Sequence, residues 1–236
     1  MKINNTLFVL DTETGGVDPN NDSLMQIAGV VLKGSKVVCK YQALVKSYEH
    51  EYVCNDFARS LHKITNEEIE AKGKYPHEIA ADLKAIRDKF FDGNPMTIVA
   101  HNAAFDISFT KKMFKDCGHG SASLLNSDTM SYDKIFARNA IDTATMALIL
   151  RLQNKLPFDR CSLDNILSFY NLEMKKEDRH TALGDAIQTA KAFLLMFRSL
   201  SGEKTISNPN KKQKEYDTDF DDAKKLNKLN NKDFNL

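Results

Sequence analysis

The pattern of apolar residues near the start of this chain predicts strands, and this limits the folds available to it. A short apolar, β-prone run covers residues 6–10, and two more cover residues 24–32 and 36–45. The segment Lys33-Gly34-Ser35 separates the second run from the third, which is typical of a hairpin turn. The chain is therefore predicted to begin as an antiparallel meander.

The apolar pattern then changes to helical spacing. Between residues 76 and 91, Ile79, Leu83, Ile86 and Phe90 recur at intervals of three and four, which indicates an amphipathic helix. Similar patterns predict a buried strand over 96–100 and helices over 103–117, 143–152, 163–170 and 184–200. Hairpins followed by strand–helix units predict an α/β fold with a mixed sheet flanked by helices.

Length and composition predict one folded domain followed by a tail. A chain of 236 residues is long enough for one large domain with a substantial core. After about residue 201 the sequence is rich in Lys, Asn and Asp, and it has too few apolar side chains to offset the entropy of ordering it. We predict a domain over residues 1–202 and a flexible, charged tail over residues 203–236.

Charge and cysteine content narrow the class of protein. The 33 basic side chains nearly balance the 32 acidic ones, so any basic surface for nucleic acid must be local. The four cysteines lie far apart, unlike those of a zinc site or a disulfide framework, and we expect reduced thiols. The sequence has neither a signal-peptide pattern nor an apolar run long enough to span a membrane. The expectation is a cytoplasmic protein without membrane association.

Acidic side chains are placed where one site can collect them. Asp11 and Glu13 follow the first predicted strand, and residues two apart in extended backbone project to the same side. Asp106 lies in the first turn of the helix after the buried strand, at a sheet edge where ligands collect. Asp185 opens the last helix. His180, five residues earlier, would lie about 140° away around a helix, so it must enter the site from the preceding loop.

Several carboxylates in one pocket repel one another unless cations neutralise them. Hard oxygen ligands select Mg²⁺ or Mn²⁺, and two such ions about 4 Å apart can activate water and stabilise the leaving oxygen of a phosphodiester. A histidine that titrates near neutral pH is suited to accept the proton of that water. The sequence therefore predicts a two-metal site with His180 as the general base.

Six motifs of the chain resemble, in order, those of the DEDDh (DnaQ-like) exonucleases, a family that includes the proofreading ε subunit of bacterial DNA polymerase III and ribonuclease T. The motifs are Asp11-Thr-Glu-Thr-Gly-Gly16, Leu61-His-Lys-Ile-Thr-Asn66, His101-Asn-Ala-Ala-Phe-Asp106, Ile141-Asp-Thr143, Ser162-Leu-Asp164 and His180-Thr-Ala-Leu-Gly-Asp185. The resemblance implies a ribonuclease H-like fold with a mixed five-stranded sheet. It also implies two Mg²⁺ or Mn²⁺ ions and hydrolysis of single strands from the 3′ end to nucleoside 5′-monophosphates.

The resemblance assigns roles to individual residues. Asp11, Glu13 and Asp185 would hold the catalytic ion, Asp11 and Asp106 would hold the second ion, and His180 would deprotonate the attacking water. Contacts to the terminal 3′ nucleotide are expected from Thr14, Gly15, Gly16, His62, Asn102 and Phe105. The glycines in this set would permit close approach of the backbone.

Two residues beside these motifs need a choice between a structural and a functional role. Phe105 is as consistent with the core as with a substrate contact, because Phe109 follows it at helical spacing. We favour a structural role for His101, because the proton-transfer role is already assigned to His180.

Other polar residues are expected to support the site rather than to form it. Asp142 is expected to act from outside the metal ligands. Lys63 stands where the family usually has glycine, which bears on the loop geometry near His62. Two basic clusters adjoin the site segments and are either phosphate contacts or solvated charges: Lys111, Lys112 and Lys115, and Lys175, Lys176 and Arg179.

The favoured function is a metal-dependent 3′-to-5′ exonuclease that acts on single-stranded DNA or RNA 3′ ends, with DNA favoured. Two alternatives stay open: a proofreading subunit whose tail docks a DNA polymerase, and an exoribonuclease that trims RNA 3′ ends. A catalytically inactive nucleic-acid-binding domain is disfavoured, because no ligand position is missing. No residue separates DNA from RNA, since that choice depends on how the pocket treats the sugar 2′-OH.

Overall fold

The structure is a computed structural model, and it describes residues 5–117, 131–172 and 179–202. Within these residues five strands form one sheet: β1 (Thr6–Thr14), β2 (Leu24–Lys33), β3 (Lys36–Leu44), β4 (Met96–Ala100) and β5 (Phe136–Asp142). The helices in the same residues are α1 (Asp56–His62), α2 (Asn66–Lys72), α3 (Pro76–Phe90), α4 (Ala103–Asp116), α5 (Tyr132–Ile135), α6 (Thr143–Leu152), α7 (Leu163–Phe169) and α8 (Ala182–Leu200). The predicted tail, residues 203–236, lies outside the described residues.

The sheet is mixed, and its strand order is β3-β2-β1-β4-β5. The first three strands form the predicted antiparallel meander, and β4 and β5 add to it in parallel with β1. Because β1, β4 and β5 run in the same direction, they end at a common edge, which we call the carboxyl edge. This edge carries Asp11 to Thr14, Ala100 and Asp142.

The two faces of the sheet are covered by different helices. Phe8 and Leu10 of β1 face the core formed with α3, α4 and α5. Leu7 and Val9 point to the opposite face and pack with α6, α7 and α8. This alternation follows from the period of two in an extended strand. It places the odd-numbered positions of β1 under α8 and the even-numbered positions under α3 and α4.

The first strand is longer than the sequence predicted. The apolar run ends at Leu10, but β1 continues to Thr14 and pairs with β2 along this length. The predicted strand ended at Leu10 because polar residues usually mark the end of a buried strand. Asp11 and Glu13 are therefore part of the sheet itself, which holds them more rigidly than a loop would.

Helices α1, α2 and α5 were not predicted, whereas the five other described helices agree with the predictions to within two residues. Helices α1 and α2 have seven residues each, and their first turns are defined by side-chain caps. The Asn55 side chain accepts a hydrogen bond from the Ala58 amide, and Thr65 accepts one from Glu68. Ile64 and Ile69 anchor this segment against Met25 of β2.

Among the described helices, none is both long enough and apolar enough to cross a membrane.

Candidate active site

Asp11 and Glu13 lie at the carboxyl edge on the face covered by α8. Their odd-numbered positions in β1 give both side chains the same direction, as the sequence predicted. Asp185, in the first turn of α8, approaches Asp11 and Glu13 from the helix layer that covers this face of the sheet. One ligand oxygen from each of the three side chains lies within 4.8 Å of the other two. The structure therefore brings together three carboxylates from segments separated by more than 170 positions along the chain.

The start of α8 is held in place by β2. Thr181 caps the helix by accepting a hydrogen bond from the Gly184 amide at 3.1 Å. The Ala182 amide donates to the Gln26 side-chain oxygen at 3.0 Å. Gln26 is paired with Glu13 across the β1–β2 ladder. This contact, which sequence reasoning missed, fixes the height of Asp185 above the sheet; the one signal for it is a glutamine inside an otherwise apolar strand.

Asp106 approaches the same edge from the opposite face. It is buried in the first turn of α4, and its carboxylate accepts a hydrogen bond from the Thr12 hydroxyl at 2.8 Å. Thr12 has an even-numbered position in β1, so its side chain points toward α4. Sequence reasoning passed over Thr12, although the alternation that pairs Asp11 with Glu13 also predicts that Thr12 faces the other way.

The loop before α4 is fastened to β5. Asn102 adopts a left-handed backbone conformation, with φ of 63°, and its amide donates to the Asp142 carboxylate at 2.9 Å. Asp142 also caps α6 through the Ala144 amide. These bonds give Asp142 the supporting position that was expected. His101 has an internal partner as well, because its Nδ1 lies 3.0 Å from the Thr143 hydroxyl.

The carboxylates of the site perturb one another. Burial raises the pKa of Asp11 well above its usual value, and the charges of Asp106, Asp185 and Glu13 raise it further. Burial also raises the pKa of Glu13 to about 7, with a contribution from the charge of Asp185. Burial raises the pKa of Asp106 to about 7, although the hydrogen bond from the Thr12 hydroxyl acts to lower it. Two buried acids, Asp106 and Asp185, and two half-buried ones, Asp11 and Glu13, are thus costly to ionise at one edge without added positive charge.

Arg179 and His180 lie in the turn before α8, and Arg179 reaches the site. Two hydrogen bonds of 2.6 Å join Nη1 of Arg179 to the two oxygens of Asp185. His180 has a left-handed backbone, with φ of 59°, and lies outside the helix, as predicted from the helical angle. Burial raises the pKa of Asp185, while the charges of Arg179 and His180 lower it. His180 lies five residues before Asp185, in the turn that precedes α8.

The Thr14–Gly16 segment is packed against the chain itself. A Cβ atom added at Gly15 would lie 1.9 Å from the Val53 carbonyl oxygen, and one added at Gly16 would lie 2.2 Å from the Asp22 carboxylate. The glycines were expected to permit close approach of a substrate. In the structure each glycine is already in close approach to the chain itself, Gly15 to the Val53 carbonyl oxygen and Gly16 to the Asp22 side chain. Contact of Thr14, Gly15 and Gly16 with substrate stays a prediction.

His62 has an internal position that differs from the expected substrate contact. Its side chain is 8% exposed, its Nδ1 accepts a hydrogen bond from the Ile64 amide at 2.9 Å, and its Nε2 lies 3.7 Å from Cys54 Sγ. Burial and the nearby Arg59 charge lower its pKa. In the structure His62 therefore shapes the turn after α1. Lys63, in that turn, has φ of 59°, which explains why glycine suits this position.

The remaining predicted contacts differ in exposure. Asn102 is exposed at the carboxyl edge, whereas Phe105 is half-buried and its ring centroid lies 5.1 Å from that of Phe109. Lys112 is paired with Asp116 at 2.7 Å along α4, which favours the solvated-charge alternative for this lysine. Lys175 and Lys176 lie outside the described residues.

The donor set fits a divalent metal ion. All of the converging side chains offer carboxylate oxygens, which suit hard cations such as Mg²⁺ and Mn²⁺. Asp11, Glu13 and Asp185 form the group within 4.8 Å, whereas Asp106 approaches the edge from the other face, and its charge raises the pKa of Asp11. A bound cation would relieve the repulsion that raises these pKa values. The residues could thus hold one ion among the first three carboxylates and another beside Asp106.

Comparison with known proteins places these features in a family. The exonuclease family (RNase_T) matches residues 8–193. The chain is 30% identical over 189 residues to the DNA polymerase III PolC-type protein of Thermotoga maritima, which covers 80% of this chain and 12% of that protein. It is 28% identical to the DNA polymerase III subunit epsilon of Rickettsia typhi, over 86% of this chain and 79% of that subunit.

Other relatives are larger than this chain. A match to the 3′-5′ exonuclease DinG of Staphylococcus saprophyticus, at 34% identity, covers 46% of this chain and 11% of that protein. The chain thus spans about a tenth of the length of the PolC-type and DinG proteins that it matches. Among solved structures, E. coli exonuclease I in complex with a dT13 oligonucleotide superposes with a TM-score of 0.62 at 18% identity, covering 82% of this chain and 41% of that chain. This likeness confirms the expected ribonuclease H-like fold.

Proposed function

Because this chain belongs to the exonuclease family, we propose that it is a metal-dependent 3′-to-5′ exonuclease that hydrolyses single-stranded nucleic acid. The products would be nucleoside 5′-monophosphates. The observation that carries the proposal is the convergence of Asp11, Glu13 and Asp185 within 4.8 Å at the carboxyl edge, with His180 in the turn that precedes the helix of Asp185. These side chains supply the ligands and the base that phosphodiester hydrolysis requires.

The proposed ligand sets follow the two faces of β1. Asp11, Glu13 and Asp185 would hold the catalytic Mg²⁺ or Mn²⁺ ion, and Asp11 and Asp106 would hold the second ion. When bound, such ions activate a water molecule and stabilise charge on the leaving oxygen. Thr12 keeps one oxygen of Asp106 oriented, and Gln26 keeps Asp185 at the height of Glu13.

His180 would accept the proton of the attacking water on its imidazole ring. His180 lies in the turn before α8, outside the helix that carries Asp185. General-base assistance of this kind contributes about 10²- to 10⁴-fold to rate. The terminal nucleotide would contact the side of the site formed by Thr14, Gly15, Gly16, Asn102 and Phe105.

The test is digestion of end-labelled single strands with Mg²⁺ or Mn²⁺. We expect shortening from the 3′ end of a 3′-hydroxyl strand and release of nucleoside 5′-monophosphates. Asp11→Ala should abolish most of the activity, and His180→Ala should lower it by about 10²- to 10⁴-fold. Undiminished digestion in excess chelator would contradict the metal mechanism.

Matched controls separate site effects from general damage to the fold. His50→Ala removes an exposed histidine paired with Glu70, and Asp133→Ala removes an exposed acid of α5. Both variants should digest the strand at the wild-type rate. A loss of activity equal to that of the site variants would mean that the assay reports folding rather than catalysis.

DNA is the favoured substrate because the relatives include DNA polymerase III proteins and the superposed exonuclease I carries a dT13 oligonucleotide. Matched DNA and RNA strands of one sequence, each with a 3′-hydroxyl or a 3′-phosphate end, test this preference. Faster digestion of DNA would support it. Faster digestion of RNA would favour the alternative of an exoribonuclease that trims 3′ ends.

A proofreading role in a polymerase assembly is a second candidate, favoured by the similarity to the epsilon subunit over 79% of that subunit's length. In this proposal residues 1–202 form the exonuclease domain and residues 203–236 form a flexible tail that docks a DNA polymerase. Co-purification of a polymerase with the full chain, but not with residues 1–202, would support this role. Identical behaviour of the two forms would count against it. A cytoplasmic location stays a prediction from the sequence.

A further inference from the structure

Arg179 binds two acidic residues on different helices at the same time. Its Nη1 donates to both oxygens of Asp185 at 2.6 Å. Its Nη2 and Nε donate to Oδ1 of Asp164, at 2.6 and 3.1 Å. Asp164 lies in the first turn of α7. The planar guanidinium thus bridges the start of α7 and the start of α8 through four hydrogen bonds.

The contact with Asp185 uses the atoms that the proposed catalytic ion requires. Both oxygens of Asp185 already accept hydrogen bonds from Arg179, and one of them lies within 4.8 Å of ligand oxygens from Asp11 and Glu13. A divalent cation and a guanidinium that share one carboxylate repel each other. A cation bound to Asp185 would therefore weaken its two hydrogen bonds with Arg179.

We propose that Arg179 is a positioning residue that competes with the divalent cation for Asp185 and moves toward Asp164 when the cation binds. The inference rests on the proposed function, because it takes Asp185 to be a metal ligand. Arg179 is always charged, so it neutralises Asp185 at any ordinary pH. The arginine would thereby set a threshold of cation concentration for assembly of the site.

Asp164 is suited to receive the displaced arginine. Its side chain is 69% exposed, against 9% for Asp185, and it already holds Nη2 and Nε. Arg179 therefore still has Asp164 as a hydrogen-bond partner when it loses its contact with Asp185. A guanidinium held at one end can rotate about that end without leaving the site.

The competition also reaches His180, the next residue along the chain. His180 has φ of 59°, and Thr181 caps α8 directly after it. Rotation of the Arg179 guanidinium toward Asp164 would change the charge beside the turn that carries the proposed general base.

Mn²⁺ binding to the full chain tests this inference without use of activity. After treatment with chelator and dialysis, the protein is titrated with MnCl₂, and free Mn²⁺ is measured by electron paramagnetic resonance. Arg179→Gln should tighten Mn²⁺ binding by about tenfold or more, because it removes a competing positive charge. Arg179→Lys keeps the charge and should bind closer to wild type.

A substitution of Asp164 should change the Mn²⁺ affinity in the opposite direction. Asp164→Asn should weaken Mn²⁺ binding severalfold. In this variant Asp185 is the one of the two acids that still attracts Arg179 by its charge, so Arg179 should compete more strongly with the cation. The double variant of Arg179→Gln and Asp164→Asn should bind as tightly as Arg179→Gln alone. Arg151→Gln removes an exposed arginine bonded to the Asp159 carbonyl and is the matched control. Thermal melts check that each variant is folded.

The outcomes distinguish this inference from the proposed function. Equal or weaker Mn²⁺ binding by folded Arg179→Gln would overturn the competition, and so would an Asp164→Asn effect that persists without Arg179. Wild-type protein that binds no Mn²⁺, or binds it equally well after Glu13→Gln, would instead overturn the metal site itself. Tighter binding by Arg179→Gln, reversed by Arg179→Lys, supports the proposal.

Discussion

The raised pKa of Glu13 predicts that the protein without metal loses stability as the pH rises. Burial and the charge of Asp185 raise this pKa from the usual value of 4.5 to about 7. The folded protein therefore holds the Glu13 proton more tightly than the unfolded chain does. This contribution to stability is fully present below the unfolded pKa and is lost as the pH rises through the folded pKa.

The magnitude follows from the size of the pKa change. A rise of about 2.5 pH units, at about 1.4 kcal/mol per unit, corresponds to about 3 kcal/mol in the free energy of unfolding. Most of this change falls between about pH 5 and about pH 8. Glu13→Gln replaces the acid with a neutral side chain of similar shape, so it should remove that part of the pH dependence.

Urea denaturation in excess chelator measures the effect. Near pH 5 the wild type and Glu13→Gln should have similar free energies of unfolding, since Glu13 is then largely protonated in the folded protein. Near pH 8 the variant should be more stable by about 2–3 kcal/mol. Added Mn²⁺ should stabilise the wild type near pH 8, because the cation neutralises the carboxylates.

Glu51→Gln, which changes an exposed acid, is the matched control and should follow the wild-type profile. Parallel profiles for wild type and Glu13→Gln across this pH range would refute the reasoning. Such a result would mean that Glu13 is no harder to ionise in the folded protein than in the unfolded chain. The same urea denaturation series with Asp106→Asn tests whether the raised pKa of Asp106, on the other face of β1, also lowers stability as the pH rises.

Three further substitutions test contacts around the site. Thr12→Val removes the buried hydrogen bond to Asp106 and should lower the free energy of unfolding by about 1–3 kcal/mol in urea titrations, with Thr12→Ser close to wild type. Gly15→Ala places a Cβ 1.9 Å from the Val53 carbonyl oxygen and should cost about 1–3 kcal/mol; an unchanged melting temperature would contradict this. Lys63→Gly relieves a side chain at φ of 59° and should raise stability by about 0.5–1 kcal/mol, measured in the same titrations.

The longer elements of this fold are predictable because their signals are local. The spacing of Ile79, Leu83 and Ile86 is enough to define α3, and the turn at Gly34 is enough to define the β2–β3 hairpin. Helices α1 and α2 have no comparable signal. Their boundaries depend on caps at Asn55 and Thr65 and on burial of Ile69, which require the neighbouring strand.

The positions of the acidic residues are also readable from the sequence, whereas their surroundings are not. Strand alternation pairs Asp11 with Glu13, and helical geometry places His180 in a turn. The glycines of the Thr14–Gly16 segment are equally visible. Their packing against Val53 is not, because that contact depends on how the segment before α1 folds back over the end of β1.

The sequence by itself determined which residues are proposed to carry the chemistry: two acids at the end of a strand, a third in the first turn of a helix, and a fourth in the first turn of the last helix with a histidine before it. Only the tertiary structure decided what holds them. Thr12 meets Asp106 across 94 positions of the chain, and Gln26 meets the start of α8 across 156. Arg179 was visible as a basic residue, but its grip on Asp185 depends on how α7 and α8 pack together. Local patterns report backbone periodicity and side-chain direction, whereas these contacts arise from the packing of distant segments against one sheet.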